Sequence, residues 1–511
     1  MYSLLVIPRI RYLSSAVPSP RDLAFLESEV LQNLRRLPHP SLTGRTLGDF
    51  GIIRSLLISS NPSETSSGIC IDVEIDHLFP GAPSAPSVVS AVTKLCSDSM
   101  ENTKDSISSK VRVRECSQRE GTPPFSSLGV GLSGLRSAIA VASGKGGVGK
   151  STVAVNLAFA LAARGARVGL LDADIQGPSL PTMVKPASLT VRKGENDCIN
   201  PLMSPEGGVA CASYGWVSPR DAAGERRGAA MMRGPLLGTT VRQLTKFTAW
   251  GARDTLLVDT PPGTGDVHLT LGQLLPFTGA VVVTTPQAVA MDDTDKGLQM
   301  LKSLAVPPLA LVLNQAYFKG ADGVKYYPLG RGEERARALA NRFGIPSNRL
   351  YLIPMEESTS VACDSGVPLV ISHPGSQAAS VFSDLARDLA GDLEKFMASR
   401  ITAATSEEGD LSPGSSTPEA FWDSSKNALV VKWHSEKGSA VRYVEPRALR
   451  LACRCASCVD EISGIMRINP GKIPLAVVPI RVESKGNYGV AVGWSDGHDS
   501  SIYTFAQLKS L

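Results

Sequence analysis

One glycine-rich stretch of the sequence carries two lysines, Lys145 and Lys150, in the order Gly-Lys-Gly-Gly-Val-Gly-Lys-Ser-Thr. It satisfies the phosphate-loop pattern Gly-x-x-x-x-Gly-Lys-Ser, in which backbone N–H groups surround phosphate oxygens, the last lysine neutralises them and the serine binds Mg²⁺. Lys145 is not required by that chemistry. The stretch predicts a site for ATP and Mg²⁺ formed by Gly144, Lys145, Gly146, Gly147, Val148, Gly149, Lys150, Ser151 and Thr152.

Carboxylates follow two apolar runs, at positions where the carboxyl ends of parallel strands would face a ligand. Asp172 and Asp174 follow the first run, and Asp259 ends the second. We expect Asp174 to position the attacking water and Asp259 to join Ser151 in holding Mg²⁺. Asp266 lies a few residues after Asp259. Asp172 and Asp266 could also belong to the nucleotide site, or each could only cap a helix.

Three of the nine cysteines lie close together as Cys453-x-Cys455-x-x-Cys458, and His498 follows near a later strand. Such close spacing favours metal binding over a disulfide framework. Three sulfurs and one imidazole form a closed tetrahedral zinc set, which stabilises a fold and leaves no coordination position for catalysis. An iron–sulfur cluster or free thiols are the alternatives at this site.

Six short apolar runs alternate with helical patterns between residues 135 and 399. Because such continuous runs suit strands that are covered on both faces, they predict a parallel sheet between helices and therefore an α/β fold. The phosphate loop lies between the first run and a predicted helix at 152–163, which is the context that the motif requires. The runs are Ala138–Ala142, Arg167–Leu171, Thr255–Val258, Ala280–Val283, Leu309–Leu313 and Leu350–Ile353.

Two smaller domains are predicted on either side of the central one. Residues 21–118 indicate an α+β domain, with helices at 25–37 and 88–95 and strands at 52–58 and 69–75. Residues 426–511 indicate a mostly β domain of zinc-binding type, with strands at 429–433, 476–480 and 489–494. The polar segments 119–134 and 400–425 have little to bury and are predicted to be linkers.

The composition limits the class of protein. With 511 residues, 43% of them hydrophobic and 20% charged, the chain is typical of a globular protein with several domains. The net charge of +4 and the lack of a basic tract give no case for nucleic acid, and no apolar run is long enough for a membrane span. Residues 1–20 fit either an organelle transit peptide, for a plastid or a mitochondrion, or a disordered N-terminus of a cytosolic protein.

Several motifs of the central domain resemble one class of ATPases. The phosphate loop is similar to the deviant loop of MinD, ParA and the nitrogenase iron protein, of the SIMIBI class, and the other motifs resemble the Mrp/Nbp branch of iron–sulfur cluster carriers. Those motifs are Asp172–Pro181, Met232–Pro235, Asp259–Asp266 and Thr284–Gln287.

The resemblance assigns roles to two residues. It implies a homodimer in which Lys145 reaches the phosphates of the partner's nucleotide, which adds Lys145 to Lys150 and Asp174 as the predicted catalytic residues. A second cation would be redundant within one subunit but useful as a clamp between two. The resemblance also places Asn314 at the nucleotide base.

The expected cluster ligand is missing. Carriers of this type hold their cluster, here expected to be [4Fe–4S], through cysteines just after the asparagine. This sequence has Ala316 at that place, and alanine cannot bind iron. Within the domain only Cys198, Cys211 and Cys363 remain; Cys363 is the candidate replacement, with a buried structural thiol as the alternative.

The flanking domains also resemble known families. Residues 21–118 are similar to the SufT and PaaD assembly domain, without a cysteine in the loop 76–83. Residues 426–511 resemble the N-terminal domain of gamma-butyrobetaine hydroxylase, in which the matching positions bind structural zinc. This domain order is that of the plastid-type cluster carriers.

Together these observations predict an ATP-hydrolysing dimer that assembles iron–sulfur clusters or delivers them to apoproteins, with those apoproteins and assembly factors as partners. The alternative is a MinD-like switch that acts through protein partners without a cluster, which the alanine at 316 favours. A third interpretation, a scaffold that binds ATP without hydrolysis, is opposed by the intact lysines and by Asp174 and Asp259.

Overall fold

The computed structural model describes most of the chain in two compact units. The first comprises described residues between 20 and 115 and between 387 and 405, and the second those between 130 and 386 and between 418 and 511. The segment 1–19, residues 119–129 and 406–417 of the two predicted linkers, and Met232 and Arg233 lie outside the described residues. The described residues are 20–61, 68–101, 109–115, 130–194, 198–217, 234–405, 418–424, 426–435, 438–455, 457–459, 466–468, 471, 473–474, 476–485, 489–499 and 501–511.

The first unit contains a three-stranded sheet and two helices that pack on it and on each other. Strand β1 is antiparallel to β2, and β2 is parallel to β3. Leu26, Val30 and Leu34 recur at helical spacing on the first helix and are buried, so they form its core-facing side. The elements are α1 Pro20–Arg36, β1 Ile53–Asn61, β2 Gly68–Ile75, α2 Ala85–Glu101 and β3 Ser109–Glu115.

The second unit is built on an eight-stranded sheet, and its elements extend the numbering in chain order. They are β4 Ala138–Ala142, α3 Lys150–Ala163, β5 Val168–Asp172, α4 Leu180–Met183, β6 Leu202–Met203, β7 Ala210–Ser213, α5 Tyr214–Val217, α6 Gly234–Lys246, β8 Thr255–Asp259, α7 Asp266–Leu274, β9 Gly279–Thr284, α8 Ala288–Ser303, β10 Pro308–Leu313, β11 Phe318–Lys319, β12 Lys325–Tyr326, α9 Glu333–Arg342, β13 Leu350–Leu352, α10 Glu357–Ser365 and α11 Leu369–Ser372. The helix α12 Gln377–Thr405 begins in this unit, and its residues from 387 onward belong to the first unit.

The strand order of this sheet is β13-β10-β9-β4-β8-β5-β7-β6, and every neighbouring pair is parallel except β6 with β7. Every residue of β4, β5, β8 and β9 is buried, so both faces of these strands are covered. The predicted α/β fold with a parallel sheet is therefore confirmed. The six predicted strands are β4, β5, β8, β9, β10 and β13.

The register of the sheet brings the catalytic segments to one edge. β8 lies between β4 and β5, and Asp259 is paired with both Val141 and Asp172. The phosphate loop leaves the carboxyl end of β4 beside those two aspartates. The sheet thus positions three separate sequence motifs within one site.

The C-terminal part of the second unit consists of two three-stranded antiparallel sheets, β14-β15-β16 and β17-β18-β19. Its core contains Trp494 and Tyr503 together with Cys453 and Cys458. Two bounds differ from the sequence analysis: β14 lies within the segment 400–425, and the strand expected at 476–480 begins at Pro479. The elements are β14 Glu419–Asp423, β15 Ala428–Ser435, β16 Gly438–Val444, α13 Pro446–Leu451, β17 Pro479–Lys485, β18 Gly489–Trp494, β19 Ser501–Thr504 and α14 Phe505–Ser510.

Candidate functional site

The phosphate loop requires glycine at two of its positions. Gly149 has a φ of 83°, and a Cβ there would lie 2.1 Å from Nδ2 of Asn314. A Cβ on Gly144 would lie 2.1 Å from the carbonyl oxygen of Asp293 on α8. Only glycine fits either position, and the loop turns directly into α3, whose free N–H groups can receive a phosphate.

Lys150 lies at the centre of the predicted nucleotide site and is buried. Its Nζ donates a hydrogen bond to Oδ1 of Asp259 and lies 3.5 Å from Oγ of Ser151. Ser179, at the start of α4, donates from its hydroxyl to Oγ of Ser151 at 3.0 Å. The structure therefore brings both predicted Mg²⁺ residues, Ser151 and Asp259, against the same lysine.

Asp172 is fully buried, and its oxygens all accept hydrogen bonds. Oδ2 accepts from the backbone N of Leu180 at 3.2 Å and from the hydroxyl of Ser213 at 3.0 Å, while Oδ1 accepts from the backbone N of Asp174 at 3.1 Å. Burial, and then the neighbouring Asp259 carboxylate, raise the pKa of Asp172 to about 7. These contacts fit the capping interpretation of Asp172, because the side chain fixes the start of α4.

The remaining predicted catalytic residues lie at the exposed rim of the site. Asp174 is half-buried, and its Oδ1 accepts from the backbone N of Gly177 at 3.0 Å. Lys145 is exposed, and its side chain has no hydrogen bond or ion pair to any described residue. Asp266 is the exposed first residue of α7, where a carboxylate favours the helix dipole.

Asn314 lies at the end of β10 and touches the phosphate loop. Its side-chain Nδ2 donates to the carbonyl oxygen of Val148 at 2.8 Å, and the residue is buried. This contact joins the loop to the strand two places away in the sheet. The predicted base-binding residue is thus within the nucleotide site.

Two residues of the site were not predicted from the sequence, Ser179 and Ser213. Ser179 belongs to the Asp172–Pro181 motif, so its spacing from Asp172 was the available signal. Ser213 ends β7, a strand that no apolar run indicates, so its contact with Asp172 had no signal.

The cysteines of the central domain offer no multi-thiol site among the residues that the structure describes. Cys198 and Cys211 are buried, and Ala316 is also buried. Sγ of Cys363 lies 3.9 Å from Oγ1 of Thr152, beside the phosphate loop. Burial raises the pKa of Cys363, and this thiol belongs to no group of three or more metal-ligating side chains among the described residues, which favours the structural interpretation.

The four predicted metal ligands of the C-terminal domain converge. The ligand atoms of Cys453, Cys455, Cys458 and His498 all lie within 4.8 Å of one another. Nε2 of His498 lies 3.5, 3.4 and 3.6 Å from the three sulfurs, in chain order. Three thiols and an imidazole arranged around one point fit a four-coordinate metal.

Groups around this site orient the ligands, and the sequence analysis missed them. Arg450 of α13 donates from Nη1 to Sγ of Cys458 at 3.6 Å and from Nε to Asp496 at 2.9 Å. Oγ of Ser501 lies 3.2 Å from Sγ of Cys453 and accepts from Nε1 of Trp494 at 3.0 Å. Donors to sulfur stabilise thiolates, so these contacts support metal binding.

Comparison with known proteins identifies both regions. Residues 134–390 match the ParA family described as NUBPL iron-transfer P-loop NTPase, and residues 422–509 match the gamma-butyrobetaine hydroxylase-like N-terminal family. The resemblance of residues 21–118 to an assembly-type domain stays a prediction.

Individual relatives agree with the family match. The chain is 39% identical over 403 residues to "Fe-S cluster assembly factor HCF101, chloroplastic" from Oryza sativa subsp. japonica. This alignment covers 79% of this chain and 70% of the relative. It is 43% identical over 263 residues to an "Iron-sulfur cluster carrier protein" from Deinococcus radiodurans, which covers 51% of this chain and 71% of that protein.

Among solved structures, a nucleotide-binding protein from Archaeoglobus fulgidus in complex with ADP is 33% identical, with a TM-score of 0.40, and covers 46% of this chain and 88% of that one. With one family match over half of the chain and a relative aligned over most of its own length, the chain belongs to the ParA family of NUBPL-type iron-transfer P-loop NTPases.

Proposed function

We propose that this protein hydrolyses ATP in order to assemble iron–sulfur clusters or deliver them to apoproteins. The observation that carries the proposal is the buried group of Lys150, Ser151 and Asp259 behind the phosphate loop. It occurs in a chain of the iron-transfer NTPase family, whose relatives are named as a cluster assembly factor and a cluster carrier.

Each residue of the site has a separate role in the proposed hydrolysis. The N–H groups at the start of α3 bind the phosphates, and Lys150 neutralises them; a bound phosphate competes with Asp259 for its ammonium group. Ser151 and Asp259 would hold Mg²⁺, which supplies charge neutralisation on the phosphates when bound. Asp174, at the rim, orients the attacking water.

Lys145 completes the site from a second subunit. Its side chain is exposed and makes no hydrogen bond or ion pair with the described residues, whereas Lys150 already serves the phosphates of its own subunit. A homodimer in which each Lys145 reaches the partner's nucleotide gives this lysine a role that the single subunit does not.

The C-terminal site holds Zn²⁺ with a structural role. For zinc, bond lengths of about 2.3 Å to sulfur and about 2.0 Å to nitrogen place sulfur and nitrogen about 3.5 Å apart in a tetrahedron. The three distances from His498, 3.5, 3.4 and 3.6 Å, agree with that value. Four protein ligands leave no open position, so this metal stabilises the domain.

The alternative function is an ATP-dependent switch that acts through protein partners and carries no cluster. Ala316 favours it, because this buried residue cannot bind iron. The two functions differ in whether iron and sulfide bind the protein and leave it in an ATP-dependent manner.

Anaerobic purification and reconstitution of the full chain test the proposal. Iron, sulfide and zinc are measured in wild type and in the Cys363→Ser and Cys455→Ser variants, with and without Mg·ATP, and transfer to an apo-acceptor that needs a [4Fe–4S] cluster is followed by its recovered activity. We expect the wild-type chain to bind iron and sulfide and to transfer them to the acceptor faster with ATP. Of the two variants, only Cys455→Ser should lose zinc. No bound iron in any nucleotide state contradicts the carrier function and supports the switch.

A plastid location is part of the proposal, since the rice relative is named chloroplastic. A fluorescent fusion of the full chain is expected to enter plastids and to remain outside them when residues 2–20 are deleted. Accumulation of the full fusion in mitochondria or in the cytosol would contradict this location.

A further inference from the structure

A buried histidine that has no hydrogen-bond partner among the described residues follows the loop that packs against the phosphate loop. His268 is in the first turn of α7 and is 4% exposed. Neither Nδ1 nor Nε2 hydrogen-bonds to any atom of the described residues. A buried polar side chain that lacks partners is costly to a fold, so its presence requires a reason.

The surroundings of His268 keep its ring neutral. Burial, and then the Lys150 ammonium group, lower the pKa of His268 to about 4, whereas the nearby carbonyl groups of Gly265 and Pro261 oppose the shift. A neutral imidazole offers one donor and one acceptor. The ammonium group that acts on this ring is the one that neutralises phosphate in the proposed function.

The backbone connects His268 to the phosphate loop. Its N–H donates to the carbonyl oxygen of Gly265 at 3.0 Å, within the turn that opens α7. The preceding loop, Thr260–Gly265, is tied to the segment before the phosphates, since Gly263 donates to the carbonyl oxygen of Ser143 at 3.1 Å. A shift of this loop therefore moves the ring relative to Lys150.

We propose that His268 is a positioning residue that senses a triphosphate at Lys150 and fixes the loop Thr260–Gly265 for hydrolysis. A triphosphate supplies acceptors and its water supplies a donor to a ring that makes no hydrogen bond with the described residues. The ring then gains hydrogen bonds that only the loaded site provides, and α7 and its loop are held by them. This inference rests on the proposed ATPase function.

Variants separate positioning from packing. His268→Leu keeps the apolar bulk and removes both nitrogens, whereas His268→Gln keeps a donor and an acceptor. We expect the Leu variant to lose about tenfold or more in kcat with nucleotide affinity within about threefold of wild type, and the Gln variant to recover most of the loss. Three results would overturn the proposal. The His268→Leu variant could turn over within about twofold of wild type, it could lose affinity and kcat equally, or the His268→Gln variant could be as slow as His268→Leu.

A spectroscopic readout keeps the test independent of hydrolysis. The chain has six histidines, so ring-labelled protein gives few signals, and the His268→Gln and His373→Gln variants identify one buried and one exposed ring. We expect the His268 signal to move with a Mg²⁺-bound non-hydrolysable ATP analogue and less with Mg·ADP, while the His373 signal stays in place.

Failure of the proposed ATPase function and failure of the sensing role of His268 would give different results. A wild-type protein that binds the analogue and moves the His268 signal but does not hydrolyse ATP defeats the proposed function and leaves the sensing role intact. An analogue that binds, as shown by fluorescence competition, without moving the signal overturns the sensing role whatever the turnover.

Discussion

Lys145 and Lys150 have the same side chain in opposite surroundings, so their alanine variants should differ in ATP binding and in turnover. Lys150 is buried against Asp259, whereas Lys145 is exposed. We expect Lys145→Ala to bind ATP within about threefold of wild type and to lose about 100-fold in turnover, because the clamp acts on charge that develops during hydrolysis. Lys150→Ala should lose ATP binding itself. Fluorescent nucleotide titration and phosphate release measure the two effects.

An exposed lysine remote from the loop provides the matched control. Lys302, near the end of α8, is also exposed, and Lys302→Ala should match wild type in both assays. Wild-type turnover by Lys145→Ala, at protein concentrations where the native chain is dimeric, contradicts the clamp.

Among the structural elements, the strands of the central sheet were predictable because each is an uninterrupted apolar run. β7 was not, since Ala210–Ser213 consists of small residues that give no apolar signal. Nor could the sequence show that Asp254 pairs with Arg136 at 3.1 Å and with Arg167 at 3.0 Å, because these partners lie 118 and 87 residues away. Local patterns predict elements and motifs; contacts between distant segments depend on the fold.

Glu394 of α12 is such a contact, and it lies in the first unit, where two buried histidines make stability sensitive to pH. It accepts from the hydroxyls of Ser41, at 2.7 Å, and Ser84, and it lies 3.7 Å from Nε2 of His39. Burial lowers the pKa of His39 and His77 despite the nearby acids Glu394, Asp76 and Glu115.

The folded-state pKa of both histidines therefore lies below the unfolded value of about 6.5. As the pH falls below about 6.5, the unfolded state binds more protons than the folded state, so stability is full above that pH and decreases below it. We expect hydrogen exchange in the peptides 37–50 and 387–399 to accelerate, after correction for intrinsic rates, between about pH 7 and about pH 5.5. The His39→Gln variant should show a smaller change; an equal change would assign the effect to other groups.

The C-terminal sheets should depend on the metal proposed at the three cysteines and His498. Cys453 and Cys458 belong to the hydrophobic core, and burial with the two neighbouring cysteines raises the pKa of Cys458 to about 12, so without a metal the Cys458 thiol is protonated in that core. We expect a chelator to accelerate hydrogen exchange in 446–455 and 489–499, with Cys455→Ser doing the same without chelator. The central sheet serves as the internal control. Unchanged exchange in the C-terminal segments after zinc loss contradicts a structural role.

At the scale of the whole molecule, large apolar side chains are exposed on segments that follow the carboxyl ends of the central strands. The loops and helices after β8, β9 and β10 begin at the same edge of the sheet as the phosphate loop, which carries the exposed Lys145. The residues and their exposed fractions are Leu269 38%, Val289 61%, Phe318 47%, Val324 52% and Tyr326 49%. Exposed apolar side chains on these segments, together with an exposed lysine that has no partner among the described residues, are what a second subunit would cover.

We therefore expect Mg·ATP to convert the 53.9 kDa chain into a dimer, measured by sedimentation or light scattering. Val289→Glu should weaken the dimer by placing a charge in the apolar contact, and Lys145→Ala should weaken it by removing the clamp. Ile480→Glu is the matched control, because Ile480 is 69% exposed but lies on β17 of the C-terminal sheets, not at this edge. If the ATP-bound chain sediments as a monomer and still hydrolyses ATP at the full rate, then Lys145 acts within its own subunit, and the exposed edge serves another partner.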